Sequence, residues 1–246
     1  MDATATFSEK EKKYNDEIIM AKDTLNISIL ENFTLPLPSK LEELKNDGYL
    51  GCEFFIKYIK PKLNKYYEEV WRIDDYKVIL CDDKVILVAM IKDLAYINDL
   101  SDDKDTGKMV KLSTRPDIKT NYDCRFSTFK KIKKHTYFAV ARSKFHGLRE
   151  VAMDGCNIIN IAKKKITIVP VKFDAKSHLV CVHNNDIEIT DTTIKLKCSL
   201  THDVRKYIEE CHDIPYEGRT ITWDDYTRDC EINIENWAMK ESPRKF

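Results

Sequence analysis

The chain has 246 residues, 43% of them hydrophobic, which is enough to close a core and too many for a disordered protein. A third of it is charged and the signs cancel, 41 Lys and Arg against 41 Asp and Glu. That balance argues against a broadly basic surface for nucleic acid or anionic membrane, and it removes the long-range repulsion that keeps copies of a protein apart.

Residues 8–25 carry the clearest helix signal. Ser8 and Glu11 form a capping box, each able to satisfy a free backbone N–H of the other's turn. Tyr14, Ile18, Ala21 and Leu25 then fall on one narrow stripe, with Lys and Glu on the opposite face. The stretch 1–25 is therefore expected to be an N-terminal assembly helix, set apart from a single body over 26–246.

The segment 26–33 alternates weakly as a strand, and Leu35-Pro36-Leu37-Pro38 breaks regular structure. A short helix is expected over 39–45 with Leu41 and Leu44 inward, ended by Asp47-Gly48. Aromatic and β-branched residues predict a strand over 66–73. Two apolar runs, 76–81 and 84–91, flank Asp82-Asp83 as a tight hairpin covered on both faces. The polar stretch 98–116 reads as an exposed loop.

Strands are expected at 135–142, 165–173, 178–183 and 187–197, the second at a sheet edge because Pro170 cannot donate to a ladder. Residues 143–162 fit neither period cleanly. A helix over 201–212 and short strands at 219–223 and 229–237 close the chain. The sum is a mainly β protein with helical decoration (α+β), an antiparallel β-sandwich preceded by an amphipathic helix.

Chemistry-bearing patterns are sparse. Only 6 Gly are present, which argues against a Gly-rich phosphate cradle. The eight Cys are spread without a C-x-x-C pair, and the default in a cytosolic protein is a reduced, buried thiol. Cys181-x-His183 and Cys198-x-x-x-His202 offer donors that zinc takes, at a spacing no zinc finger uses, so ordinary buried Cys beside half-exposed His is the stronger reading. Asp99, Asp102, Asp103 and Asp105 with Gly107 are similar to a calcium loop, but Lys104 and Lys108 interrupt it and no closing Glu follows. Neither His146 near Cys156 nor Cys211-His212 has a recognisable orienting partner for nucleophilic chemistry. No metal and no catalytic residue is assigned, and the chain is not expected to be an enzyme.

The segment 126–138 interleaves Phe126, Phe129, Tyr137 and Phe138 with Lys130, Lys131, Lys133 and Lys134. Lysines among aromatics can track a phosphate backbone and stack bases, so these four lysines are candidate nucleotide or phosphate contacts. The competing reading is a Lys-rich loop that enters a strand. The first twenty residues place charges where a secretion signal has its apolar run, so a cytosolic protein is expected, with no membrane partner.

The layout of the whole chain resembles a cypovirus polyhedrin, the insect-virus protein that crystallises in the cytoplasm of infected cells around virus particles. The resemblance lies in the length, the solitary helix 8–25, the strand-rich body and the signal-free start. It implies a jelly-roll-like β-sandwich, packing of trimers into a lattice, and a leading helix that cross-links them. Its partners would be other copies of itself and embedded virions. No cofactor would be required, though some members hold nucleotides. The implied function is the crystalline matrix of an occlusion body, which protects virions and dissolves in alkali. The alternative is a cytoplasmic viral nucleic-acid-binding protein that uses residues 126–138.

One feature of composition fits the alkaline trigger. The 41 basic residues are 32 Lys and 9 Arg, alongside 12 Tyr and 8 Cys. Above about pH 10.5 Lys loses its charge while Tyr and Cys become anionic, so net charge swings from zero to strongly negative.

Overall fold

A computed structural model of the chain describes residues 39–46, 52–82, 84–113, 122–145, 151–170, 180–200 and 227–242. The chain divides into two units, residues 1–89 with 96–109 and residues 90–95 with 110–246. The described residues are mostly strand, in antiparallel sheets with few helices. The expected helix 8–25, strand 26–33, helix 201–212 and strand 219–223 lie outside them.

In the first unit, α1 (Ser39–Asn46) forms where expected and buries Leu41 and Leu44. A turn of α-helix at Cys52–Phe54 runs into a π-helical turn, Phe55–Ile59, and a 3-10 turn, Lys60–Lys62. Phe54, Phe55 and Ile59 are buried from this stretch.

The strand expected over 66–73 does not form; the segment opens instead with a 3-10 turn at Lys65–Tyr67. The Asn64 side chain accepts from the Tyr66 N–H and fixes the turn. Tyr67, Val70 and Ile73 are buried at spacing three, a coiling period and not the period of two a strand requires. The Lys60 ammonium then donates to the carbonyls of Glu68 and Val70, which a sheet partner would otherwise occupy.

The strands β1 (Asp75–Cys81), β2 (Lys84–Ile91), β3 (Leu94–Asp99) and β4 (Lys108–Lys111) form one sheet in sequence order. In β2 every residue from Val85 to Ile91 is buried, so both faces are covered, as a continuous apolar run demands. The expected loop 98–116 is shorter than anticipated, because β3 reaches Asp99 and β4 starts at Lys108.

The second unit carries two further sheets. One has the order β5 (Tyr122–Lys133), β6 (Thr136–Phe145), β7 (Val151–Asn160), β8 (Lys165–Val169), all antiparallel. Pro170 follows β8, which is an edge strand as expected. The other sheet has the order β10 (Glu188–Ile189), β11 (Thr193–Leu200), β12 (Thr227–Asn233), β13 (Met239–Glu241), with β9 (Val180–Val182) also pairing β11.

One hydrophobic cluster draws side chains from both sheets. Phe138, Val140, Cys156, Ile158 and Val169 come from the first, and Ile194, Leu196, Cys198, Cys230 and Ile232 from the second. Gly155 on β7 is required here, because the Ser113 carbonyl lies where a Cβ would stand.

Candidate functional site

The four candidate lysines are not gathered onto one surface. They lie on β5 and its turn, where register shifts fall between Phe126 and Thr128 and between Lys131 and Lys133. Lys130 donates to the Ile187 carbonyl at 3.2 Å, and the Lys133 ammonium sits 5.2 Å from the Trp237 ring centre. Lys131 pairs in register with Tyr137 and so shares the opposite face with it. Lys134 is in the turn that follows. The aromatics are occupied too: Phe129 stacks on Tyr137 at 5.2 Å and meets Phe126 edge-on at 5.3 Å, while Phe126, Tyr137 and Phe138 are buried. Tyr14, Ile18, Ala21 and Leu25 lie outside the described residues.

The zinc pattern separates onto two faces. Cys198 pairs in register with Val182, and both are buried in the core. His183 stands one position on, its Nε2 2.9 Å from the Ser199 hydroxyl and its Nδ1 3.7 Å from Asp186. The Cys198 thiol instead meets Cys230, and that contact together with burial pushes it far up from the ordinary thiol range. Burial does the same to Cys156 in the same cluster. His202 lies outside the described residues.

The acidic loop in the first unit holds a cation supplied by the chain itself. Lys40 of α1 is only 4% exposed, and its ammonium donates to the carbonyls of Asp102 at 2.8 Å and Asp105 at 2.7 Å. The carboxylates fold the loop by accepting backbone N–H groups. Asp105 takes those of Asp99 and Gly107, Asp99 that of Ser101, and Asp102 that of Lys104. Gly107 has φ +73° against the Tyr96 ring, a conformation that favours glycine. Tyr96 donates to the Thr106 carbonyl and accepts from Asn98, and burial raises its pKa to about 12.

Two features of the second unit were not anticipated from sequence. Arg142 grips Asp154 with two hydrogen bonds, 2.7 and 2.6 Å, and the Asp154 side chain is fully buried. Asp154 also accepts the Val182 N–H at 2.7 Å while Arg142 donates to the Val182 carbonyl, so the pair stitches β6 and β7 to β9. Register brings the two together, since Arg142 lies directly across from Asp154, and the sequence carries no signal of that pairing.

The second feature is the outward face of the β10–β13 sheet. Ile194, Leu196, Cys230 and Ile232 point into the core, so Lys195, Lys197, Asp229 and Glu231 point away from it. Register aligns one row as Glu188, Lys195, Glu231, Lys240 and the next as Lys197, Asp229. Among the described residues none of these six side chains makes an ion pair within 4.0 Å. A groove of about 370 Å³ runs over this face, lined by Lys195, Lys197, Asp229, Glu231 and Lys240 among others.

No family model, curated protein or solved structure matches the chain. No helix among the described residues is long and apolar enough to cross a membrane.

Proposed function

We propose that this is a structural, self-assembling protein, of the kind that forms the crystalline matrix of a viral occlusion body in the cytoplasm of an infected host cell. Its body is a β-sandwich, supported by the single core that both sheets of the second unit share. Its partners are other copies of itself, in trimers packed into a lattice, with virus particles enclosed. It requires no cofactor and turns over no substrate. Residues 8–25 serve as the linking helix, with Tyr14, Ile18, Ala21 and Leu25 as its anchors.

The observation that carries this reading is how neutrality is built. Opposite charges alternate across an exposed sheet instead of separating into a basic face and an acidic one. A segregated basic face attracts polyanions, whereas an alternating one attracts a surface of the same kind. The nucleic-acid alternative rests on Lys130, Lys131, Lys133 and Lys134, three of which are engaged with the protein itself. Under that alternative, RNA binding would fall steeply with salt and be lost on Lys131→Ala with Lys134→Ala.

The test is microscopy of cells that express the chain. Intracellular crystals, or dense bodies that dissolve when the pH is raised to about 11, are expected from a Lys-based neutrality. A protein that stays monomeric at high concentration and neutral pH sinks the proposal. Deletion of residues 1–25 should abolish assembly, and normal assembly without them would remove the helix from the scheme.

A further inference from the structure

The outward rows of the β10–β13 sheet have a symmetry of their own. Across the four strands the first row reads negative, positive, negative, positive: Glu188, Lys195, Glu231, Lys240. The second reads positive, negative about the same midline: Lys197 on β11 and Asp229 on β12. Reflecting either row about the line between β11 and β12 inverts every sign. The flanking rows, Thr193 with Asn233 and Ser199 with Thr227, are uncharged.

Two copies stacked face to face about a two-fold axis along that midline bring each position onto its mirror position in the other copy. Lys195 then faces the second copy's Glu231, Glu188 faces its Lys240, and Lys197 faces its Asp229. Every charge in both rows meets its opposite. An isologous interface requires this self-complementarity. The six side chains form no ion pair within the subunit among the described residues, although register puts opposite charges side by side. Their charges are therefore available to a partner.

We propose that this face is a two-fold docking surface for a second copy of the same chain. The idea deepens the self-assembly proposed above and rests on it for its setting. Two long strands, β11 and β12, flanked by the short β10 and β13, spaced about 4.8 Å apart with about 3.3 Å per residue, give roughly 300 Å² per copy. The roughly 600 Å² total lies well below the 1,200 Å² or so of a stable complex. The contact is thus weak in an isolated pair and useful where other contacts support it, and it is sensitive to salt.

The test uses sedimentation velocity on the dilute, soluble fraction of the 246-residue chain at neutral pH and low ionic strength. Lys195→Glu puts Glu against Glu twice across the axis, and Glu231→Lys puts Lys against Lys twice. Each variant alone should weaken association roughly tenfold. An equimolar mixture of the two should recover it, because each copy then faces charges opposite to its own. Contacts within one subunit do not predict recovery on mixing. Circular dichroism of each variant confirms that both fold.

Failure of the wild type to associate, unchanged association of either variant, or no recovery in the mixture would each overturn the interface. Crystals that still form in cells from Lys195→Glu would overturn this interface alone and leave self-assembly standing.

Discussion

At Asp154 the chain places a fully buried carboxylate that accepts three hydrogen bonds, two from Arg142 and one from the Val182 N–H. Removing one member of such a pair strands the other charge, which costs about 3–5 kcal/mol. Asp154→Ala is therefore expected to lower stability by that amount in urea unfolding, and a loss under 1 kcal/mol would show that Arg142 finds other partners. Tyr96 sets a second limit. Its phenol ionises near 10 when unfolded and at about 12 when folded. Folding thus holds a proton that the unfolded chain releases. The contribution is complete below pH 10 and is lost as the pH rises to 12, about 2–3 kcal/mol in all. Cys156 and Cys198, both pushed up, act in the same direction from about pH 9. Tyr96→Phe should make the fall between pH 10 and 12 shallower in urea midpoints, while neutral stability drops by about 1 kcal/mol. An unchanged slope would mean that Tyr96 does not contribute.

The α1 helix and the 99–107 loop act as one element because Lys40 fills the loop. Lys40→Met leaves the carbonyls of Asp102 and Asp105 without their donor, at a cost of about 2 kcal/mol. Amide exchange of Asp99 and Gly107 should then quicken, and unchanged exchange would show that the carboxylates hold the loop alone. The sequence could not reveal this, since Lys40 and Asp102 are 62 residues apart. The β2 strand was legible because seven consecutive apolar residues, four of them β-branched, follow the Asp82-Asp83 turn signal. The strand β5 was not, because two register shifts break its alternation, one between Phe126 and Thr128 and one among the lysines. The segment 66–73 was misread because aromatic residues satisfy a strand preference while Asn64 and Lys60 fix a coil.

For the whole molecule, zero net charge was visible in the composition, but its layout needed register. A charge at every second position, Lys195 and Lys197 on β11 and Asp229 and Glu231 on β12, reads from sequence as half-buried strands and no more. Only the pairing of Lys195 with Glu188 and Glu231 shows that signs alternate across strands. The structure also refines the alkaline response. Cys156 and Cys198 are buried with their thiols pushed up from the ordinary range, so they add little charge to the folded protein. These two thiols and Tyr96 weaken the fold in alkali, while under the proposed self-assembly surface lysines would lose the charges that hold copies together.

The measurement that tests the central claim most directly is a solubility curve of particles recovered from expressing cells, taken from pH 7 to pH 12. The account predicts insoluble assemblies at neutral pH that dissolve cooperatively above about pH 10, where Lys discharges. Protein that is freely soluble and monomeric at pH 7, with no change across the range, would contradict it.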